Sequence, residues 1–106
     1  MGLPAHVDIQ NLPVSGATGT LNTTTANITI PVTATLVSVF GTVQFGCSLT
    51  VGADTDLDVS TYADCVPMEA NTTYLLRLNR RSSDFVTRVN VEAASGSGTY
   101  RIGFYK

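Results

Sequence analysis

Two cysteines, one histidine, an acidic run and a set of arginines are the residues of this 106-residue chain with chemistry beyond packing. Cys47 lies inside "VQFGCSLTV" (43–51), and Cys65 closes "GADTDLDVSTYADC" (52–65). A structural zinc site takes four ligands, more than two cysteines and His6 supply. A disulfide requires Cα atoms within about 7 Å, which spacing alone leaves open. Thiols in a reducing cytoplasm stay reduced, so the reading favours two free thiols, with Cys47 a small hydrophobe in the core.

Catalysis has little to build on. His6 is the sole histidine, so any Ser-His-Asp or Cys-His arrangement must use it, and residues so near a terminus are usually loosely held. The acidic run fails as an EF-hand loop. Counting from Asp54, Val59 stands where the turn glycine belongs and Cys65 where the bidentate Glu belongs. The expectation is a protein that is not an enzyme, with no catalytic residue, cofactor or metal.

The charges suggest contacts instead. Residues 1–70 hold six acids and no Lys or Arg. Residues 71–106 hold Arg77, Arg80, Arg81, Arg88, Arg101 and Lys106 against Asp84 and Glu92, so the two parts are formally −6 and +4. Arginine suits protein interfaces, and no lysine or interleaved aromatic accompanies the cluster to suggest nucleic acid. The net charge of −2 gives no general attraction to nucleic acid or anionic membrane. Arg77, Arg80, Arg81 and Arg88, with Asp54, Asp56 and Asp58, are therefore the partner-binding candidates.

What must position these residues is a set of strands. Period-2 alternation recurs along the chain between Gly, Asn, Asp and Ser clusters, and no helical period appears. In 43–51, Val43, Phe45, Cys47, Leu49 and Val51 share one face and predict a half-buried strand. "NITIPV" (27–32) reads as an edge or strand end because of Pro31, and "TATLVSVFG" (33–41), apolar on both faces, as a central strand. "TTYLLRL" (72–78) is expected to bury Tyr74, Leu76 and Leu78. "DFVTRVNVEAA" (84–94) is expected to bury Phe85, Val89 and Val91, and "TYRIGFY" (99–105) Tyr100, Ile102 and Phe104. "SGSG" (95–98) predicts a hairpin joining the last two, with Glu92 facing Arg101 and Arg88 facing Tyr105 on an arginine-bearing outer face.

Seven or eight short antiparallel strands with turns every 8 to 12 residues imply one all-β domain, a β-sandwich or jelly roll. That domain is assigned to 21–106, and 1–20, rich in Gly, Pro and small residues, to a flexible N-terminal arm. Only 13% of residues are charged, about half the ordinary share, which suits a surface partly covered by something else. The N-terminus has no basic region or long apolar run, and no stretch reaches the roughly 18 apolar residues of a membrane span. The expectation is a chain made in the cytoplasm, without a membrane partner.

The C-terminal two-thirds carries a recognisable order. "V-x-F-G" (Val43 to Gly46) is followed by an Ala-, Thr- and Asp-rich loop (Ala53 to Asp56) and an "[IV]-P" turn with a small residue soon after (Val66 to Ala70). "A-[AS]-G-[ST]-G-T"-like residues (Ala94 to Thr99) then precede a short terminal strand. Over residues 41–106 this resembles small virion proteins of tailed bacteriophages. The resemblance implies a capsid decoration (cement) protein, made in the host cytoplasm and bound to the capsid exterior. It implies the major capsid protein as partner and a homo-oligomeric state, with a trimer favoured. The alternative is a tail or head-fibre accessory domain that binds a host receptor or carbohydrate.

Overall fold

The computed structural model of the chain describes residues 13–54, 56–78 and 86–106. Its strands are β1 (Pro13–Leu21), β2 (Ala26–Thr29), β3 (Leu36–Gly41), β4 (Phe45–Thr50), β5 (Val66–Met68), β6 (Tyr74–Arg77), β7 (Arg88–Ala93) and β8 (Gly98–Tyr105). They form two four-stranded sheets, ordered β1-β8-β3-β6 and β2-β7-β4-β5. Every pairing is antiparallel. First pairs with last, second with seventh, third with sixth and fourth with fifth. The chain is thus one long ribbon, doubled back at the β4–β5 connection and folded over itself, which is the connectivity of a jelly roll. The all-β expectation holds.

Alternation decides what lies between the sheets. Val37 and Val39 of β3, Phe45 and Cys47 of β4, Val89, Val91 and Ala93 of β7, and Ile102 and Phe104 of β8 are buried together with Leu21, Ile28 and Met68. Val43, Leu49, Tyr74, Leu76 and Tyr100 are half-buried against them. Each fully buried Val, Leu, Ile, Phe or Met side chain contributes roughly 1.5–3 kcal/mol relative to exposure. Cys47, 2% exposed, is a core side chain in this layer. Val51 is the exception in its stripe: β4 ends at Thr50, and Val51 is 57% exposed.

Three sequence expectations need revision. β7 and β8 form no hairpin, because they belong to different sheets. The Ala94–Ser97 turn, with Gly96 at φ 69°, carries the chain from one sheet to the other. Arg101 therefore lies opposite Phe40 and Thr18, not Glu92, and Arg88 opposite Thr29 and Thr50, not Tyr105. Local turn chemistry was right, but it does not report which sheet the next strand joins. Residues 13–20, read as part of the arm, make up most of β1 and pair with β8. Residues 1–12, with His6, and Phe85 lie outside the described residues.

Candidate functional site

The outer faces of the two sheets are dressed differently. On the β2-β7-β4-β5 sheet, Gly46, Ser48 and Thr50 of β4 face Glu92, Asn90 and Arg88 of β7. The 51–65 connection folds back over this surface, so Asn90 and Glu92 are buried although they stand on the polar side of β7. Asn90 Nδ2 donates to Ser48 Oγ at 3.0 Å and to Thr50 Oγ1 at 2.8 Å, and its Oδ1 accepts from the Asp54 backbone N–H at 3.3 Å. A Glu92 carboxylate oxygen accepts from the Thr25 hydroxyl and, at 3.2 Å, from the Leu57 N–H. Leu57 is 2% exposed, the apolar anchor of an otherwise acidic segment. Gly46 allows this closeness: a Cβ there would stand 2.7 Å from Cys65 Sγ and 3.0 Å from a Val59 methyl.

The acids serve the loop itself. Asp54 Oδ1 accepts from the Asp56 N–H, and Asp64 Oδ1 from the Asp58 N–H. The Asp58 carboxylate accepts from the hydroxyls and backbone N–H groups of Ser60 and Thr61. The Thr61 hydroxyl, then the Thr61 N–H and the Ser60 hydroxyl, hold Asp58 down to about 2. Short acidic side chains capping nearby N–H groups are a turn-forming device, and Asp54 and Asp58, two of the three acids singled out for partner binding, also take that role. Among the described residues, no group of three or more His, Cys, Asp or Glu is placed to hold a metal ion.

Both cysteines are free and lie on opposite faces of the same sheet. Burial pushes the Cys47 thiol up to about 12, with Cys65 adding to the shift. Cys65 is pushed up to about 11, first by burial, then by its hydrogen bond with Asp64 and the negative charges of Asp64, Asp58 and Glu92. A nucleophilic cysteine needs the opposite, an electropositive setting that favours thiolate.

The outer face of the β1-β8-β3-β6 sheet has no such cover among the described residues. Leu36, Ser38 and Phe40 of β3, Leu75 and Arg77 of β6, and Arg101 and Tyr105 of β8 lie on it. None belongs to the core. Leu75 is 62% exposed. The Arg101 guanidinium sits over the Phe40 ring, 4.8 Å from its centroid, and the Tyr105 hydroxyl is 3.3 Å from Ser38 Oγ. The face thus has an apolar and aromatic centre with Arg77 and Arg101 about it. Reading 33–41 as a central strand, apolar on both faces, was correct: β3 lies between β8 and β6.

The two described arginine candidates do not share one surface. Arg77 is exposed on this bare face, whereas Arg88 opens β7 in the other sheet and donates from Nη1 to the carbonyl and hydroxyl of Thr87. Arg80 and Arg81 lie outside the described residues. Sequence reasoning missed Thr25, Leu57, Asn90 and Glu92. A lone leucine within five residues of acids was the available signal for the first contact. Among the described residues no helix is long and apolar enough to cross a membrane. No protein-family model matches the chain, and neither do any of the curated proteins or solved structures compared with it.

Proposed function

We infer that this chain is a structural virion protein that decorates and stabilises the outside of a tailed-phage capsid, binding major capsid protein subunits through the bare face of its β1-β8-β3-β6 sheet. The observation that carries this reading is the contrast between the faces. One is sealed by the chain's own 51–65 loop, and the other presents Leu36, Phe40, Leu75 and Tyr105 beside two arginines. Apolar and aromatic side chains with arginine are the composition enriched in protein interfaces. The jelly roll recurs in viral capsid and lectin domains, a fold-level analogy that supports the reading without assigning it.

A second reading rests on the same face. Phe40 and Tyr105 offer half-buried aromatic rings, one with a polar handle, which suits a tail or head-fibre accessory domain that binds a receptor or carbohydrate. Co-sedimentation of the purified chain with empty expanded capsids, alongside a glycan panel, tests both. Capsid binding lost in Leu75→Asp, with an unchanged melting temperature, is the expected result. Glycan binding without capsid binding selects the second reading.

A further inference from the structure

We propose that the outer edge of β1 pairs antiparallel with β1 of a second copy across a two-fold axis at Thr18, joining two four-stranded sheets into one. This inference is independent of the capsid reading.

Sheet edges carry unpaired N–H and C=O groups, and proteins blunt them with short strands, charges or proline. Three of the four edges here are blunted. β2 has four residues, β5 has three with Pro67 at its centre, and β6 has four and ends in Arg77. β1 has nine residues, "PVSGATGTL", none charged, with its only proline at the first position. Its other side belongs to β8. Among the described residues no strand covers the free one.

Backbone direction picks out which groups are free. The Thr99 carbonyl accepts from Thr42 N–H on the β3 side, so alternate residues 99, 101, 103 and 105 of β8 turn their polar groups toward β3. Tyr100 and Ile102 then turn theirs toward β1, where their partners are Gly19 and Ala17. That leaves Gly16, Thr18 and Thr20 with N–H and C=O groups directed outward. These three residues are self-complementary about Thr18. In an antiparallel pair, Thr18 meets Thr18 and Gly16 meets Thr20, each a pair that exchanges two backbone bonds. Cross-strand threonine pairs are favourable, and on the opposite face the small Ala17 and Gly19 meet each other.

Charge does not oppose the pairing. Among the described residues the nearest cation on that surface is Arg101, opposite Thr18 in the register, and its guanidinium is drawn away from the edge onto Phe40 of β3. Two Arg101 backbones would stand three strand spacings apart, about 14 Å, beyond the screening length of about 8 Å at physiological salt. A strand from an unrelated partner gains specificity from side-chain pockets along the edge, and Gly16, Ala17 and Gly19 form none. A second copy needs only the symmetric backbone match.

Sedimentation equilibrium of the full chain up to high micromolar concentration, with amide hydrogen exchange, tests the pairing. A species of twice the 11.2 kDa chain mass, with slow exchange at Gly16, Thr18 and Thr20, is expected. Thr18→Lys, which sets two ammonium groups face to face, should give monomer and fast exchange at these amides. Thr18→Pro, which removes an N–H that β8 does not use, should do the same, and Thr18→Val should keep the dimer. Circular dichroism identifies any variant that has failed to fold. A monomeric wild-type chain, protected amides in a monomer, or an oligomer indifferent to Thr18→Lys overturns the proposal.

Discussion

Glu92 of β7 holds the backbone N–H of Leu57 at 3.2 Å, joining residues 35 apart in sequence. That bond and the Thr25 hydroxyl bond make a side chain on the polar face of a strand into an internal clamp. Replacing Glu92 by Ala strips the acceptor from the Thr25 hydroxyl and leaves the Leu57 N–H only the Thr25 oxygen, at 3.2 Å, at a cost of about 1–3 kcal/mol. Glu92→Gln keeps one acceptor oxygen and should lose less. Urea denaturation measures both, and equal stability of Glu92→Ala and wild type would show that the clamp carries no weight.

Leu57 and its acidic neighbour separate packing from charge. Leu57→Ala should cost about 2–5 kcal/mol, the range for emptying a buried leucine site. Asp56→Ala should stay within about 0.5 kcal/mol, as exposed substitutions usually do, because none of the described residues bonds to its carboxylate. Leu49→Ala, at a half-buried position, should fall below the Leu57 value. Chemical denaturation of the three variants side by side gives the order.

Stability should decline in alkali. The folded-state thiols titrate at about 12 for Cys47 and about 11 for Cys65, against an ordinary value of 9.0. A raised pKa means the neutral thiol is the form that folds. Its contribution is complete below pH 9, and is lost as the pH climbs from 9 through the folded-state values. Urea midpoints measured between pH 8 and 11 should fall, and Cys47→Ala should flatten that fall while lowering the midpoint at pH 8. Identical pH slopes for variant and wild type would remove Cys47 as the cause.

Thiol labelling at neutral pH should find Cys47 silent and Cys65 slow in the native protein, with both reacting in denaturant. Gly46→Ala places a methyl group 2.7 Å from Cys65 Sγ and should lift the loop, speeding Cys65 labelling. An unchanged rate would mean that the loop yields without opening.

Strand identity was legible because a period of two survives in short stretches: Val37 and Val39, Phe45 and Cys47, Val89 and Val91, and Ile102 and Phe104 all reached the core. Partner identity was not. Ser95 to Gly98 announces a turn, but the same dihedral angles serve a hairpin or a crossing between sheets, and only the whole ribbon's folding decides. The clamp was hidden for a related reason. Asn90 and Glu92 alternate with valines as solvent-facing residues do, and nothing local says that a loop 35 residues upstream will lie over them. The bare face was half visible. Leu36 and Phe40 break the polar side of β3, and the sequence could show that they were apolar but not what, if anything, met them.

Connectivity also sets a timetable. β8 lies between β1 and β3 and is hydrogen-bonded to both, yet it is the last of these strands to leave the ribosome. Until it emerges, β1 has no neighbour in its sheet, and the apolar sides of β3 and β4 lack part of their cover. Folds dominated by such end-to-end contacts form slowly, and the waiting chain exposes strand edges open to misassociation. A low density of charged residues makes that interval more hazardous, since charge is what keeps unfinished strands apart. Nascent chains stalled before Gly98 should therefore be protease-sensitive along their whole length, and resistance should appear in a single step once Tyr105 has cleared the exit tunnel.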